Sequence, residues 1–167
     1  MKVVEAILRD EKFRRIVLRE LFRRALLEFS RIIEMVAMHK KDVKDWWKRE
    51  LIENRKIGKK DVIRFGALAE KTIQNIRKST SRNVYIEECS LAYDVIKDIL
   101  SELEEDIPTL ALKIKIRDKS VELNSQDVYR LLLTISSAFG EIRGGIWSEV
   151  GKRVGSEVLK RILNLIR

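Results

Sequence analysis

The side chains with the most to offer chemically are cations. Arg55-Lys56-Ile57-Gly58-Lys59-Lys60 is the densest basic cluster, and Lys71, Arg77, Lys78 and Arg82 follow it. Residues 40–83 carry 14 Lys/Arg against 6 Asp/Glu, a local net of +8 where the whole chain has +9. Cations at this density suit the phosphates of a polyanion, because each phosphate neutralised releases condensed counterions. Duplex DNA is the expected partner, with Lys152 and Arg153 lending support from the C-terminal end. Arg15, Arg19 and Arg23 recur one turn apart and allow two readings. They are a solvated face interleaved with Glu20, Glu28 and Glu34, or a further phosphate-contacting ridge.

Much other chemistry is excluded. No GxxxxGK[ST] phosphate loop and no strand–GxGxxG–helix unit occurs. His39 is the only histidine, so nucleophile–His–acid catalysis and histidine–zinc chemistry lack their parts. Beside Lys40 and Lys41, His39 reads as a cation at the negative end of a helix dipole. Cys89 stands alone, which rules out an intramolecular disulfide and points to a reducing cytoplasm. No cofactor is expected. The N-terminus lacks a signal peptide's apolar core, and no apolar run approaches the ~20 residues of a membrane span. Heavy use of Lys, Arg and Glu with only two glutamines leans towards a thermophile.

Residues 84–106 reverse the sign, with eight carboxylates against Lys97 and a local net of −7. Asp94 and Asp98 share a helix face and could in principle hold a divalent metal, although a solvated acidic face is the plainer reading. The segment also invites pairing with the basic middle, within one chain or across a homo-oligomer.

The elements that must position these groups are mostly helices. Periodic apolar residues predict a short helix over 1–9, with Val3, Val4, Ile7 and Leu8 on one side, and a long one over 11–38 capped by Asp10. The long helix is expected to bury a heptad-like seam of Leu18, Phe22, Ala25, Phe29, Ile32 and Val36. Asp42 is expected to cap a short helix carrying Val43, Trp46, Trp47 and Leu51, one tryptophan in the core and the other half exposed. Residues 61–78 read as a continuous helix with a tolerated glycine. The alternative is the second half of a helix-turn-helix, broken at Gly66-Ala67 and resuming at Ala69. The acidic helix is expected to bury Ala92, Ile96, Ile99 and Leu103. After Pro108, alternation at Leu110, Leu112, Ile114 and Ile116 predicts a strand, and Val121 to Leu123 its return, a hairpin over about 109–123. Asn124 or Ser125 then caps a helix whose Val128, Leu131, Leu132, Ile135 and Phe139 face inward.

Five of the seven glycines lie in Gly140 to Arg167. Apolar residues recur there at Trp147, Val150, Val154, Val158, Ile162 and Leu165, a helical period. Gly151 and Gly155, one turn apart, each cost about 1 kcal/mol against alanine, which suggests a close neighbour at that face. The stretch Ile142-Arg-Gly-Gly-Ile-Trp-Ser-Glu-Val-Gly-Lys-Arg-Val-Gly-Ser-Glu-Val-Leu-Lys-Arg-Ile-Leu resembles a glycine-bearing helix of some type II restriction endonucleases. It is also similar in outline to the helix that opens archaeal junction-resolving nucleases. Both belong to the PD-(D/E)xK superfamily. The resemblance implies that Glu149 or Glu157 lies near a magnesium site, with an Asp on one strand and a (D/E)xK on the next following the helix. The sequence reaches Arg167 without them, and the hairpin before the helix offers no (D/E)xK. On this resemblance the chain is similar to the helical N-terminal part of such a nuclease, or to a relative that has lost its catalytic half.

The expectation is therefore a single, mainly α domain over 1–167, an irregular bundle of about six helices with one hairpin. It would bind DNA and form a homodimer through the 18–36 seam and the glycine face. The competing expectation is a non-enzymatic assembly protein whose basic middle binds the acidic helix of another copy.

Overall fold

The computed structural model describes residues 2–165 and is mainly helical. Helices α1 (Lys2–Arg9) and α2 (Glu11–His39) are separated by Asp10. Asp10 accepts from the backbone N–H of Lys12 at 2.8 Å, which caps α2 as expected. A π-helical turn (Lys48–Ile52), α3 (Lys59–Phe65), α4 (Glu70–Arg77) and α5 (Arg82–Glu102) follow, then strands β1 (Leu112–Ile116) and β2 (Lys119–Leu123), and α6 (Ser125–Leu165). The strands pair antiparallel, Ile114 opposite Val121. Of the two candidate caps for α6, Asn124 does the work, its Oδ1 accepting from the Asp127 N–H at 2.9 Å. The Ser125 hydroxyl accepts instead from Leu110 N–H. The described residues fall into two compact units, one of 2–28 with 139–165, the other of Phe29–Ala138.

In the first unit Val17, Leu21 and Ile146 are buried, with Phe13, Phe139, Ile142 and Val150 packed against them. The expected seam is displaced here: Leu18 and Phe22 are exposed, and the buried row is one residue earlier. The reason is that between Phe13 and Leu27 the apolar residues of α2 are scattered round the helix among charged ones rather than gathered in one stripe. Such a helix does not specify its own inner face, and the partner row Ile142–Ile146–Val150 selects it. Val154 is buried and Trp147 exposed. The side chains of Val3, Val4, Val158, Ile162 and Leu165 lie outside the described residues. Nothing lies within 4 Å of where a Cβ would stand on Gly140, Gly144, Gly145, Gly151 or Gly155. The close neighbour inferred at Gly151 and Gly155 is therefore not among the described residues, and α6 runs through all five glycines.

In the second unit Ile32 and Val36 of α2 are buried as expected, among Trp46, Trp47, Leu51, Ile52, Val62, Phe65, Ile73, Tyr85 and Leu123. Both tryptophans are core residues, correcting the expected division between them. A π turn directly after them and two polar partners make this affordable: Trp46 Nε1–H donates to Asp127 at 3.0 Å and Trp47 Nε1–H to the Phe65 carbonyl at 3.1 Å. Asp42 is exposed beside Lys40 and caps nothing. At the end of α2 the cation on the last carbonyls is Lys119, whose Nζ donates to Met38 O at 3.0 Å. His39 is half-buried, and burial lowers its pKa from the ordinary value, which works against the expected charge at the helix end.

Residues 59–77 form two helices, not one. The helix breaks at Gly66-Ala67, with Ala67 at φ 54, and α4 starts at Glu70. The glycine is required by packing rather than by its φ of −78. A Cβ on it would stand 2.5 Å from Cys89 Sγ and 3.1 Å from Cys89 Cα, so α3 and α5 meet backbone to side chain at this point. That contact also sets the buried face of α5, which is Tyr85–Cys89–Tyr93. Ile99 and Leu103, expected inside, are exposed. Tyrosine outcompetes the aliphatic stripe because its ring buries more area and its hydroxyl finds a partner. Tyr85 donates to Glu70 at 3.2 Å and Tyr93 to Asp45 at 3.0 Å.

Candidate nucleic-acid interface

The second unit brings most of the expected cations together, and divides them into two kinds. Arg77, at the end of α4, is engaged by two carboxylates of α5. Its Nη1 lies 2.7 Å from Glu88 and its Nη2 2.9 Å from Glu87. Arg82 spans the start of α5 and the loop before α3, donating to the carbonyls of Asn54 at 3.2 Å and Arg55 at 3.0 Å. Lys59 donates to Thr80 O at 2.8 Å and lies over the Tyr85 ring, 4.4 Å from its centroid. It also lies 3.8 Å from Glu70. These three cations are struts. They tie the 54–58 loop, the N-terminus of α3 and the 78–81 turn into one patch.

Arg55, Lys56, Lys60, Lys71 and Lys78 are the other kind, all solvent-exposed on the segments so tied. Lys78 ends α4 in the left-handed conformation, φ 48, with its N–H on Gln74 O at 2.8 Å, so the chain turns sharply beneath an exposed ammonium. Lysine side chains held at the base and solvated at the tip are the arrangement that phosphate contact needs, since little ordering entropy remains to be lost in the backbone beneath them.

The acidic helix pairs with the basic middle inside this chain. Besides Arg77, Lys48 Nζ donates to Asp94 at 3.1 Å, and Lys97 reaches Asp45 at 2.9 Å. Asp94 is thus committed to a lysine, and Asp98 is exposed to solvent, as the plainer reading of that pair has it. Of the two pairings expected, within one chain or across a homo-oligomer, these contacts are the first.

A second polar network escaped the sequence reading. Asp127 and Arg130, in the first turns of α6, are both buried. Burial raises the Asp127 pKa, against the opposing hydrogen bond from Trp46. Arg130 stacks 3.7 Å from the Tyr93 ring centroid and donates to the Tyr93 carbonyl at 3.1 Å. Burial likewise pushes the Cys89 thiol and the Tyr93 phenol up to about 12. The only signal in the sequence was that positions 127 and 130 lie within one turn of Leu131, which is expected to face inward. These groups tie α6 to Trp46 and to α5 inside the core.

The remaining candidates lie in the first unit. Lys152, Arg153 and Glu157 are exposed on α6. Glu149 belongs to a groove of about 470 Å³ between α2 and α6, floored by Phe13, Val17, Ile146 and Val150. Arg24 bridges two carboxylates there, its Nε 2.6 Å from Glu20 and its Nη1 3.2 Å from Glu149. Hydrogen bonds from Arg23 and Arg24 hold the Glu20 carboxyl down at about 2. Magnesium wants several oxygen ligands in octahedral array. Glu149 is instead turned onto a guanidinium, and among the described residues no three His, Cys, Asp or Glu side chains are grouped to hold a metal ion. These residues do not fit a magnesium site. Arg15 pairs with Glu11 and Arg23 with Glu20, in keeping with a solvated, charge-interleaved face. No helix among the described residues is long and apolar enough to cross a membrane.

Compared with known proteins, residues 1–167 match the family model described as CfrBI restriction endonuclease. No curated protein and no solved structure matches the chain.

Proposed function

We propose, from the premise that this chain belongs to the CfrBI restriction endonuclease family, that it contacts duplex DNA through the basic patch of its second unit. The observation that carries this reading is the division of labour among the cations. Arg77, Arg82 and Lys59 are spent on internal partners, while Arg55, Lys56, Lys60, Lys71 and Lys78 are presented to solvent on the same braced segments. A restriction endonuclease must hold the duplex by its backbone before any base is read, and phosphate contacts supply that positioning. The break at Gly66-Ala67 supports the reading further, because α4 then stands as a separate short helix with Lys71 and Lys78 at its two ends. Lys152 and Arg153 would add contacts only as a separate patch.

The test is fluorescence anisotropy of a labelled 20–30 bp duplex over a salt series. Five phosphates neutralised give a slope of about −4.5 in log K against log salt, from about −0.9 each. Tight binding at low salt with a slope of this order is expected. Binding that is indifferent to salt, or no binding at low salt, would overturn the reading.

A further inference from the structure

Two exposed helix faces carry mirrored patterns. On α2, Leu18, Phe22 and Leu26 form an exposed row, and Arg15, Arg19 and Arg23 stand three residues before each of them. On α5, Leu91, Val95 and Ile99 form an exposed row, and Asp94, Asp98 and Glu102 stand three residues after each. All six apolar side chains are between 44% and 66% exposed. Residues three or four apart lie side by side on a helix, so each face is an apolar strip with a charged strip along one edge. The three positions flanking the α2 row are all arginines, and the three flanking the α5 row are all carboxylates. A scattered exposed leucine needs no explanation, but rows of three at constant spacing on two helices do.

We propose that the α5 face of one copy of this chain docks on the α2 face of a second copy, apolar row on apolar row and carboxylates against arginines. The occupant is argued from charge. The central members of the edges, Arg19 and Asp98, form no ion pair among the described residues, whereas their neighbours Arg15, Arg23 and Asp94 have partners. The two edges thus lack counter-charges at their middles, and each supplies what the other lacks. Opposite fields of this kind fix register and exclude wrong partners. The contact is heterologous, with different surfaces on the two copies, so it either closes into a ring or extends into a chain. It leaves the basic patch of residues 55–78 uninvolved and stands independently of the DNA reading.

The experiment is light scattering on the full chain over a hundredfold range of concentration, with Arg19→Asp and Asp98→Arg made singly and combined. Both positions are exposed, and circular dichroism confirms that each variant keeps its helix content. Wild-type protein is expected to associate with rising concentration. Each single reversal should weaken association by roughly tenfold or more, because like charges then face each other. An equimolar mixture of the two single variants should associate again, since an intact α2 face meets an intact α5 face, and the double variant should recover too. Wild-type protein that stays monomeric overturns the proposal. So does association untouched by either reversal, or association lost instead in Trp147→Ser, which would put the contact on α6.

Discussion

Gly66→Ala is the sharpest test of how the patch is positioned. The added methyl would stand 2.5 Å from Cys89 Sγ, 2.6 Å from its Cβ and 3.1 Å from its Cα. Rotating the thiol relieves only the first of these contacts. The other two belong to atoms fixed by α5, so α3 must back away from the helix it packs on. Overpacking of this kind costs about 1–3 kcal/mol. At φ −78 alanine is otherwise acceptable, and the stiffer unfolded chain returns about 0.4–1 kcal/mol. The net loss is about 1–2 kcal/mol, which for a chain of 167 residues is a drop of roughly 2–8 °C in Tm. Thermal and urea denaturation of Gly66→Ala, Cys89→Ala, Cys89→Gly and the two double variants separate the contacts. Cys89→Ala removes the sulfur but leaves Cβ, so it should rescue little. Cys89→Gly removes both and should show a favourable coupling with Gly66→Ala, above its own cost of about 1 kcal/mol in a helix interior. A Gly66→Ala protein that melts at or above wild type would refute the reasoning, as would full rescue by Cys89→Ala.

Three further outcomes follow from the same geometry. Lys60→Gln should flatten the salt slope of DNA binding by about 0.9, while Arg77→Gln, which removes a strut, should weaken binding and leave the slope unchanged. Equal changes in slope would show that the division into struts and contacts is wrong. Burial raises the Asp127 pKa above its ordinary 3.8, so the folded chain holds that proton more tightly than the unfolded chain does. Stability from this group is therefore full below 3.8 and is lost as pH rises through the folded value. Asp127→Asn keeps an acceptor for Trp46 and removes that loss. Urea denaturation from pH 3 to 7 should show the variant gaining on wild type as pH rises, and parallel curves would count against it. Glu149→Gln leaves Arg24 its shorter contact to Glu20, so stability should barely change for so exposed a pair. Calorimetric magnesium titration should give the same unsaturable trace before and after that change. A saturable site lost in the variant would make Glu149 a ligand after all.

Local and periodic signals were legible in the sequence. The Asp10 cap, the extent of α2, the presence of a hairpin and a cap at Asn124 or Ser125 each depend on a few residues acting on their own backbone, so reading along the chain was enough. The basic patch was legible for the same reason, since charge is a property of composition. Which face of a helix turns inward was not legible wherever two faces were apolar. Leu18 and Phe22 lost to Val17 and Leu21, and Ala92 to Leu103 lost to Tyr85, Cys89 and Tyr93. A helix offers its stripes equally, and only the neighbour that arrives, Ile146 in one case and Gly66 in the other, decides between them. The same holds for charge. The sequence determined how many cations stand between residues 40 and 83, but pairing is a matter of distance across the fold. Only the tertiary structure could spend Arg77 and Lys59 on internal partners, and leave Lys60, Lys71 and Lys78 to the solvent.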